Sequence, residues 1–390
     1  MPIRNRFAEL QSDITAWRRD FHENPELLYD VHRTAGIVAE KLRAFGCDEV
    51  KEGIGRTGVV GIIKGKSDSK GKVIGLRADM DALPLDEVTG LPHASKTPGK
   101  MHACGHDGHT AILLGAAQYL AETRNFDGTV VVMFQPAEEG GGGALAMCED
   151  GVLDDHNVQE VYGLHNMPGL PVGEFAIRPG ALLASADQFD MVIKGRGTHA
   201  AQPHNGIDTV LAASQIVTAL QSVVSRNLDP VKSLVVSVTS FRTLTDAYNI
   251  LPDSVALKGT VRALDPAARD MAEERIKAVA TATAEAMGCQ LELTYKRGYP
   301  VTMNAEENTE FATEAARAVT GGQGVDTDTP PHLGAEDFSY MLERRPGAYI
   351  MLGNGDSASL HNPAYEFDDN AIPVGCSWFA EVVERRMPAA

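Results

Sequence analysis

Short apolar runs alternate with helical stretches through most of this chain, and near the middle that alternation gives way to a different order. Val59–Lys64, Val73–Arg77, Thr129–Phe134, Glu160–Leu164 and Tyr349–Leu352 read as strands. Thr34–Phe45, Thr110–Glu122, Asn308–Val319 and Pro373–Arg385 read as helices, and Ile3, Phe7, Leu10, Ile14, Trp17 and Phe21 repeat at helical spacing before them. This alternation predicts an α/β domain with a largely parallel, mixed sheet flanked by helices. In the middle, strand Phe189–Lys194, helix Thr209–Ser225, strands Leu234–Thr239 and Ala256–Arg262, helix Asp270–Met287 and strand Gln290–Tyr295 follow one another. The order is β-α-β-β-α-β, a ferredoxin-like unit complete in itself. The expectation is a larger domain over 1–184 and 297–390, with a smaller domain inserted over 185–296.

Charge and cysteine usage exclude several classes. Acidic residues number 53 and basic residues 35, a formal net charge of −18. Nucleic acid and anionic membranes recruit basic faces, so neither is expected as a partner. No apolar run approaches the ~18 residues of a membrane span, and the N-terminus reads as an amphipathic helix without a signal core. Five cysteines at wide spacing suggest no disulfide framework; a reducing compartment, the cytoplasm, is expected.

Met101-His-Ala-Cys-Gly-His-Asp-Gly-His109 gathers three of the 12 histidines and one of the five cysteines around two glycines. Each of these side chains can bind a metal through an unprotonated donor atom. Other chemistry-bearing residues follow strands: Asp79 and Asp81 after Val73–Arg77, Glu138 and Glu139 after Thr129–Phe134, and His165 after Glu160–Leu164. His361 lies in the loop beyond Tyr349–Leu352. Open α/β sheets collect ligands beyond the carboxyl ends of their strands, so these residues are expected at one rim. A hydrolytic metal site needs several ligands, an open position for water and a base that is not a ligand. Of the adjacent pair Glu138 and Glu139, one can bind metal while the other takes a proton from water. Metal lowers the pKa of bound water from about 15.7 to about 7, within reach of a carboxylate base. Taken singly, His165 reads as a structural histidine, His361 carries almost no information, Cys104 reads as a small buried hydrophobe, and Asp79 and Asp81 read equally as turn or capping residues and as supports for the ligands.

The chain resembles the hippurate hydrolase/N-acyl amino acid amidohydrolase branch of the aminoacylase–carboxypeptidase superfamily of dinuclear metallohydrolases. The motifs are Arg77-Ala-Asp-Met-Asp-Ala-Leu-Pro84, Met101–His109, Gln135-Pro-Ala-Glu-Glu139 and Gly163-Leu-His-Asn166. Gly197–Gly206, Asn249–Asp253, Gly259–Arg262 and Gly334–Phe338 also fit, and the likeness runs from about Trp17 to the C-terminus. The resemblance implies metal ligands at Cys104, His106, Glu139, His165 and His361, with Glu138 as general base. It implies two divalent ions per subunit, zinc first, with manganese, cobalt or nickel as alternatives. It implies a homodimer formed through the inserted domain, with His199 reaching the partner's active site to stabilise an oxyanion. Asn249 and Arg262 become candidates for the substrate carboxylate, and Asp79, Asp81 and Asp107 for supporting the ligands. The stretch Phe241–Tyr248 departs from the Gly-Glu-Ala-Thr pattern of this branch, and Arg242 stands near a position where histidine is common. The expected activity is hydrolysis of the amide bond of N-acyl amino acids, aryl or aliphatic. Two other readings remain at this point: a hydrolase with Cys104 as nucleophile, and a non-enzymatic, zinc-containing dimeric binding protein.

Overall fold

A computed structural model of the chain describes residues 5–389; Ile3, expected on the first helix, lies outside them. Two compact units divide the chain. One comprises residues up to Gly180, Met303–Pro330 and Asp337 onward; the other comprises Ala181–Thr302 and Pro331–Glu336.

The first unit holds an eight-stranded mixed sheet. Its strand order is Glu49–Ile54, Gly58–Lys64, Thr129–Gln135, Val73–Asp79, Glu160–Met167, Gly347–Gly353, Phe175–Ala176, Val325–Asp326. The four strands from Thr129–Gln135 to Gly347–Gly353 run parallel to one another. They are buried along almost their whole length, which explains why each reads as a continuous apolar run rather than an alternating one. Glu49–Ile54 was not expected as a strand. It is the sheet's edge, and its glutamates and lysine face solvent, a pattern that keeps an edge from pairing with another chain.

Helix Asn5–Glu23 packs against helix His106–Thr123 through Phe7, Leu10, Ile14 and Phe21. The same face buries two basic side chains, Arg18 and His22. Burying such groups is costly unless they are paired. Arg18 reaches Asp369 at 2.8 Å and Asp107 at 3.4 Å. His22 sits between Asp107, 2.9 Å from Nδ1, and Glu87, 3.2 Å from Nε2. Asp107 thus faces the first helix, pairing with Arg18 and His22.

In the second unit a four-stranded antiparallel sheet has the order Leu234–Thr243, Ser254–Ala263, Ser185–Lys194, Gln290–Arg297. Its strands alternate buried and more exposed positions, as one covered face requires, and helices Thr209–Ser222 and Pro266–Ala286 pack against it. Asp208 and Asp265 cap these helices by accepting from Leu211 N (2.9 Å) and Ala268 N (2.8 Å). A Cβ at Gly259 would stand 2.0 Å from Phe189 Cζ, so only glycine lets that ring lie flat on the neighbouring strand. Pro331–Glu336 joins this unit because His332 N donates to Leu182 O and Ala184 N donates to His332 O. No helix among the described residues is long and apolar enough to cross a membrane.

Burial opposes protonation of His22, but Asp107 and Glu87 outweigh it and raise its pKa from 6.5 to about 9. A raised histidine pKa gives stability that is complete below 6.5 and disappears as pH rises through about 9. Thermal denaturation of His22→Gln is expected to show a deficit below pH 6.5, at most about 3 kcal/mol, that closes above pH 9. A deficit that widens with pH would contradict this pairing.

Candidate metal centre

The four parallel strands share one carboxyl edge, and the candidate ligands gather there. Asp79 ends its strand, Gln135 ends the next, His165 lies two residues from the end of a third, and His361 lies on the loop after Gly353. Cys104 and His106 flank Gly105, the N-cap of helix His106–Thr123.

Three overlapping groups bring the expected ligands together: Cys104 with His106 and His165, Cys104 with Glu139 and His361, and His106 with Glu138 and Glu139. Within each group the donor atoms lie within 4.8 Å of one another. Cys104 Sγ stands 3.4 Å from His165 Nε2, and His361 Nε2 stands 3.4 Å from Glu139 Oε1. The groups share members, so together they form one continuous cluster. Both ring nitrogens of His106 and Oε1 of Glu139 are buried without a hydrogen-bond partner. Buried polar atoms are almost always satisfied, so soft and borderline donors left open toward one another fit a divalent cation. His165 is already oriented for this: Nδ1 donates to Asn166 O at 2.7 Å, which leaves the Nε2 lone pair facing the cluster.

The Glu138-Glu139 turn is held by Asp81, whose two carboxylate oxygens accept from Glu138 N (2.9 Å) and Glu139 N (3.1 Å). Burial raises the pKa of Asp81 and the Glu139 charge adds to the rise, while contacts to His106 and to the Glu138 N–H oppose it. Ala137, immediately before the pair, adopts φ +56°, and His361 adopts φ +62°. Non-glycine residues in this left-handed region carry strain that the surroundings must hold in place. Ala137 is held by donating to Leu28 O and accepting from Gly143 N.

Behind the ligands lies a buried lattice. Arg77 donates to Gln135 Oε1 (2.8 Å), Asp79 Oδ2 (2.7 Å), Asp337 Oδ1 (3.0 Å) and Tyr349 Oη (3.2 Å). Gln135 Nε2 donates to both oxygens of Asp337. Burial works against ionisation of Asp79, but His106, Arg77 and His109 hold its pKa well below the usual range. His102 and His109 belong to the same loop as the ligands but take other places. His102 is buried in none of these groups, and His109 bonds to Asp79 and Asn166.

In the second unit, a ribbon pairs His199 with Ile250 and Thr198 with Leu251, and Ala200 N donates to Asn249 O. His199 and Asn249 thereby line one cavity of about 650 Å³, with Leu244 and Ile250 on its apolar side. His199 Nδ1 accepts from Ala201 N at 3.0 Å, so the ring proton sits on Nε2. Arg262 lies on strand Ser254–Ala263, where its Nη1 donates to Thr260 Oγ1 and Val261 O.

Sequence reasoning did not single out Asn166, Tyr365 or the Arg77–Asp337 contact. Arg77 and Asp337 stand 260 positions apart, and no local spacing signals such a bond. The two motifs that contain them were the only trace.

Comparison with known proteins gives the following. Residues 75–385 match the family described as peptidase family M20/M25/M40. The chain is 44% identical over 375 residues to a hippurate hydrolase from Campylobacter jejuni, covering 96% of each. It is 42% identical over 366 residues to an N-acetylcysteine deacetylase from Bacillus subtilis, covering 94% of each. The crystal structure of Bacillus subtilis YXEP, described as a dinuclear metal binding peptidase from the M20 family, superposes with a TM-score of 0.85 at 36% identity. That match covers 98% of this chain and all of the other.

The closeness of the ligand loop is testable. At Gly105, φ is +83°, and a Cβ would stand 2.3 Å from Asn166 Nδ2 and 2.5 Å from Tyr365 Oη. Gly105→Ala is expected to lower stability by roughly 1–3 kcal/mol and to reduce divalent-metal uptake. Calorimetric melting and metal analysis on one sample check both; a variant as stable and as metal-rich as the parent would show that the cradle is loose.

Proposed function

The chain belongs to peptidase family M20/M25/M40, and from that premise we propose that it is a metal-dependent amidohydrolase cleaving N-acyl amino acids into a carboxylic acid and a free amino acid. The observation that carries this reading is the cluster of Cys104, His106, Glu139, His165 and His361, with open buried donor atoms, beside the additional carboxylate Glu138. These five residues would hold two divalent ions, zinc first, with manganese, cobalt or nickel as alternatives. When bound, the ions supply Lewis acidity that polarises the amide carbonyl and acidifies water. Glu138 takes the proton of the attacking water and passes it to the leaving amine, so that water and amide balance against acid and amine. Asp81 holds Glu138 and Glu139 in their turn through their backbone N–H groups.

The substrate class follows from the hippurate hydrolase and N-acetylcysteine deacetylase relatives. Benzoylglycine and N-acetyl amino acids are the first candidates. The insert over 185–296 would form a homodimer, and His199 would donate its Nε2–H to the oxyanion in the partner's site. Asn249 and Arg262 would bind the substrate carboxylate, Arg262 through its guanidinium.

A screen of N-acyl amino acids with metal content measured on the same sample tests the reading. Chelation is expected to abolish hydrolysis and added metal to restore it; activity that survives complete metal removal would point to Cys104 as a nucleophile instead. Glu138→Gln is expected to lower kcat by about 10²–10⁴ with metal content unchanged. Loss of metal and fold together in that variant would favour a structural metal site.

The dimer reading has its own test. Glu138→Gln and His199→Ala are each expected to be inactive, and mixing them under subunit exchange is expected to regain turnover. In a mixed dimer one site has an intact Glu138 and receives an intact His199. Exchange without recovery would place His199 outside the partner's site.

A further inference from the structure

His109 lies in the first turn of the helix that begins at His106, and distance alone makes it a candidate ligand: it groups with Asp79 and His106 within 4.8 Å. Its hydrogen bonds say otherwise. Nδ1 lies 2.7 Å from Asp79 Oδ1, an oxygen held in a carboxylate that also receives Arg77. Nε2 lies 2.9 Å from Asn166 N, a backbone amide that can only donate. Nε2 therefore spends its lone pair on Asn166, and Nδ1 carries the ring proton toward Asp79. No lone pair is left for a metal.

Asn166 in turn serves four partners at once. Its Nδ2 donates to Cys104 O at 2.6 Å, its Oδ1 accepts from Tyr365 Oη at 2.7 Å, and its backbone O accepts from His165 Nδ1 at 2.7 Å. Its backbone N is the group that His109 receives. One residue therefore sets the backbone at Cys104, the ring of His165 and, through Tyr365, the loop that carries His361. The His109 ring also lies edge-on to His165, centroids 4.6 Å apart, and stacks on His106 at 5.5 Å. Thr110 Oγ1 donates to Asp79 O at 2.7 Å, so the first turn of the helix is tied to the same strand end.

We propose that His109 is a positioning residue, not a ligand: with Asp79 on one nitrogen and Asn166 on the other, it joins the Asp79 strand to the Asn166 hub and so sets the spacing of Cys104, His165 and His361. The proposal rests on the metal-centre reading above and concerns how that centre is held.

The test uses the full chain, stripped of metal and titrated by calorimetry with zinc and, separately, manganese(II). His109→Asn keeps a donor toward Asp79 and loses the acceptor for Asn166 N. His109→Gln can place an oxygen near the Nε2 position and keeps that acceptor. Tyr365→Phe removes only the hydroxyl that reaches Asn166, and it keeps the ring volume. His109→Asn is expected to weaken metal binding by about 10–100-fold, with His109→Gln recovering part of the loss and Tyr365→Phe showing a smaller loss of its own. Melting temperatures of the metal-free proteins are expected to stay close to the parent's. Parental metal affinity in His109→Asn and Tyr365→Phe overturns the proposal. So does a loss of affinity that follows the metal-free melting temperature from variant to variant, because a merely structural role predicts that pattern. A parent chain that binds no divalent ion fails the metal-centre reading itself, a different outcome from parental affinity in the variants.

Discussion

The buried guanidinium of Arg77 ties the metal rim together. Its donors reach Asp79 on its own strand, Gln135 at the end of the next, Tyr349 on a third and Asp337 on a connecting loop. Taking a guanidinium and two carboxylates out of water costs several kcal/mol per ion, and only good geometry on every donor offsets it. Such a cluster adds little net stability, but it forbids any arrangement in which one strand slips. A one-residue shift of strand Thr129–Gln135 would turn Gln135 away and leave Arg77 and Asp337 short of a partner. The registers that place Asp79, Glu138 and His165 at one rim are thus enforced from below, before any ligand is considered.

Much of this was legible in the sequence, and the parts that were not have a common physical cause. The parallel strands were visible because strands covered on both faces read as unbroken apolar runs. The inserted unit was visible because its element order differs from the alternation around it. The residues that gather at this rim were visible because Cys104 and His106 sit close together and the Glu138-Glu139 pair follows a strand. The edge strand Glu49–Ile54 was missed because its charges hide the periodicity. The Asn166 hub was missed because its partners, Cys104, His109 and Tyr365, are dispersed along the chain and an asparagine after a histidine carries no signal alone. Pairwise spacing along a chain reports what lies on one element; contacts closed by topology are silent until the topology is known.

Two ligand-bearing turns show a second cost. Ala137 and His361 sit in the left-handed region, where a side chain crowds its own backbone. Glycine would relieve either position. At 361 glycine would remove the imidazole, and at 137 it would loosen the turn that presents Glu138 and Glu139. Asp81 restrains the same turn by receiving both of their N–H groups. Strain and restraint belong together here, because a turn that is uncomfortable on its own keeps its shape only where neighbours leave no alternative.

Charge explains why such a rim needs cations. Asp79, Asp81, Glu138, Glu139 and Cys104 meet where water is largely excluded, and the Arg77 guanidinium pairs with Asp79 and, behind the rim, with Asp337. Burial pushes the Cys104 thiol up and raises Asp81, the direction in which a group moves when its anion lacks compensation. His361 is raised as well, to about 10, because contacts to Cys104 and Glu139 favour its protonated form. Against burial, Asp79 and Glu139 shift down because His106, Arg77 and His361 compensate them, so the charge at this rim is shared unevenly among its acids. A divalent ion held by Cys104, His106, Glu139, His165 and His361 would supply positive charge at a fixed place, and its binding would compete with their protons. Thiolate, carboxylate and neutral imidazole are the forms in which these side chains would ligate, so the protons and a metal would compete for one set of donors.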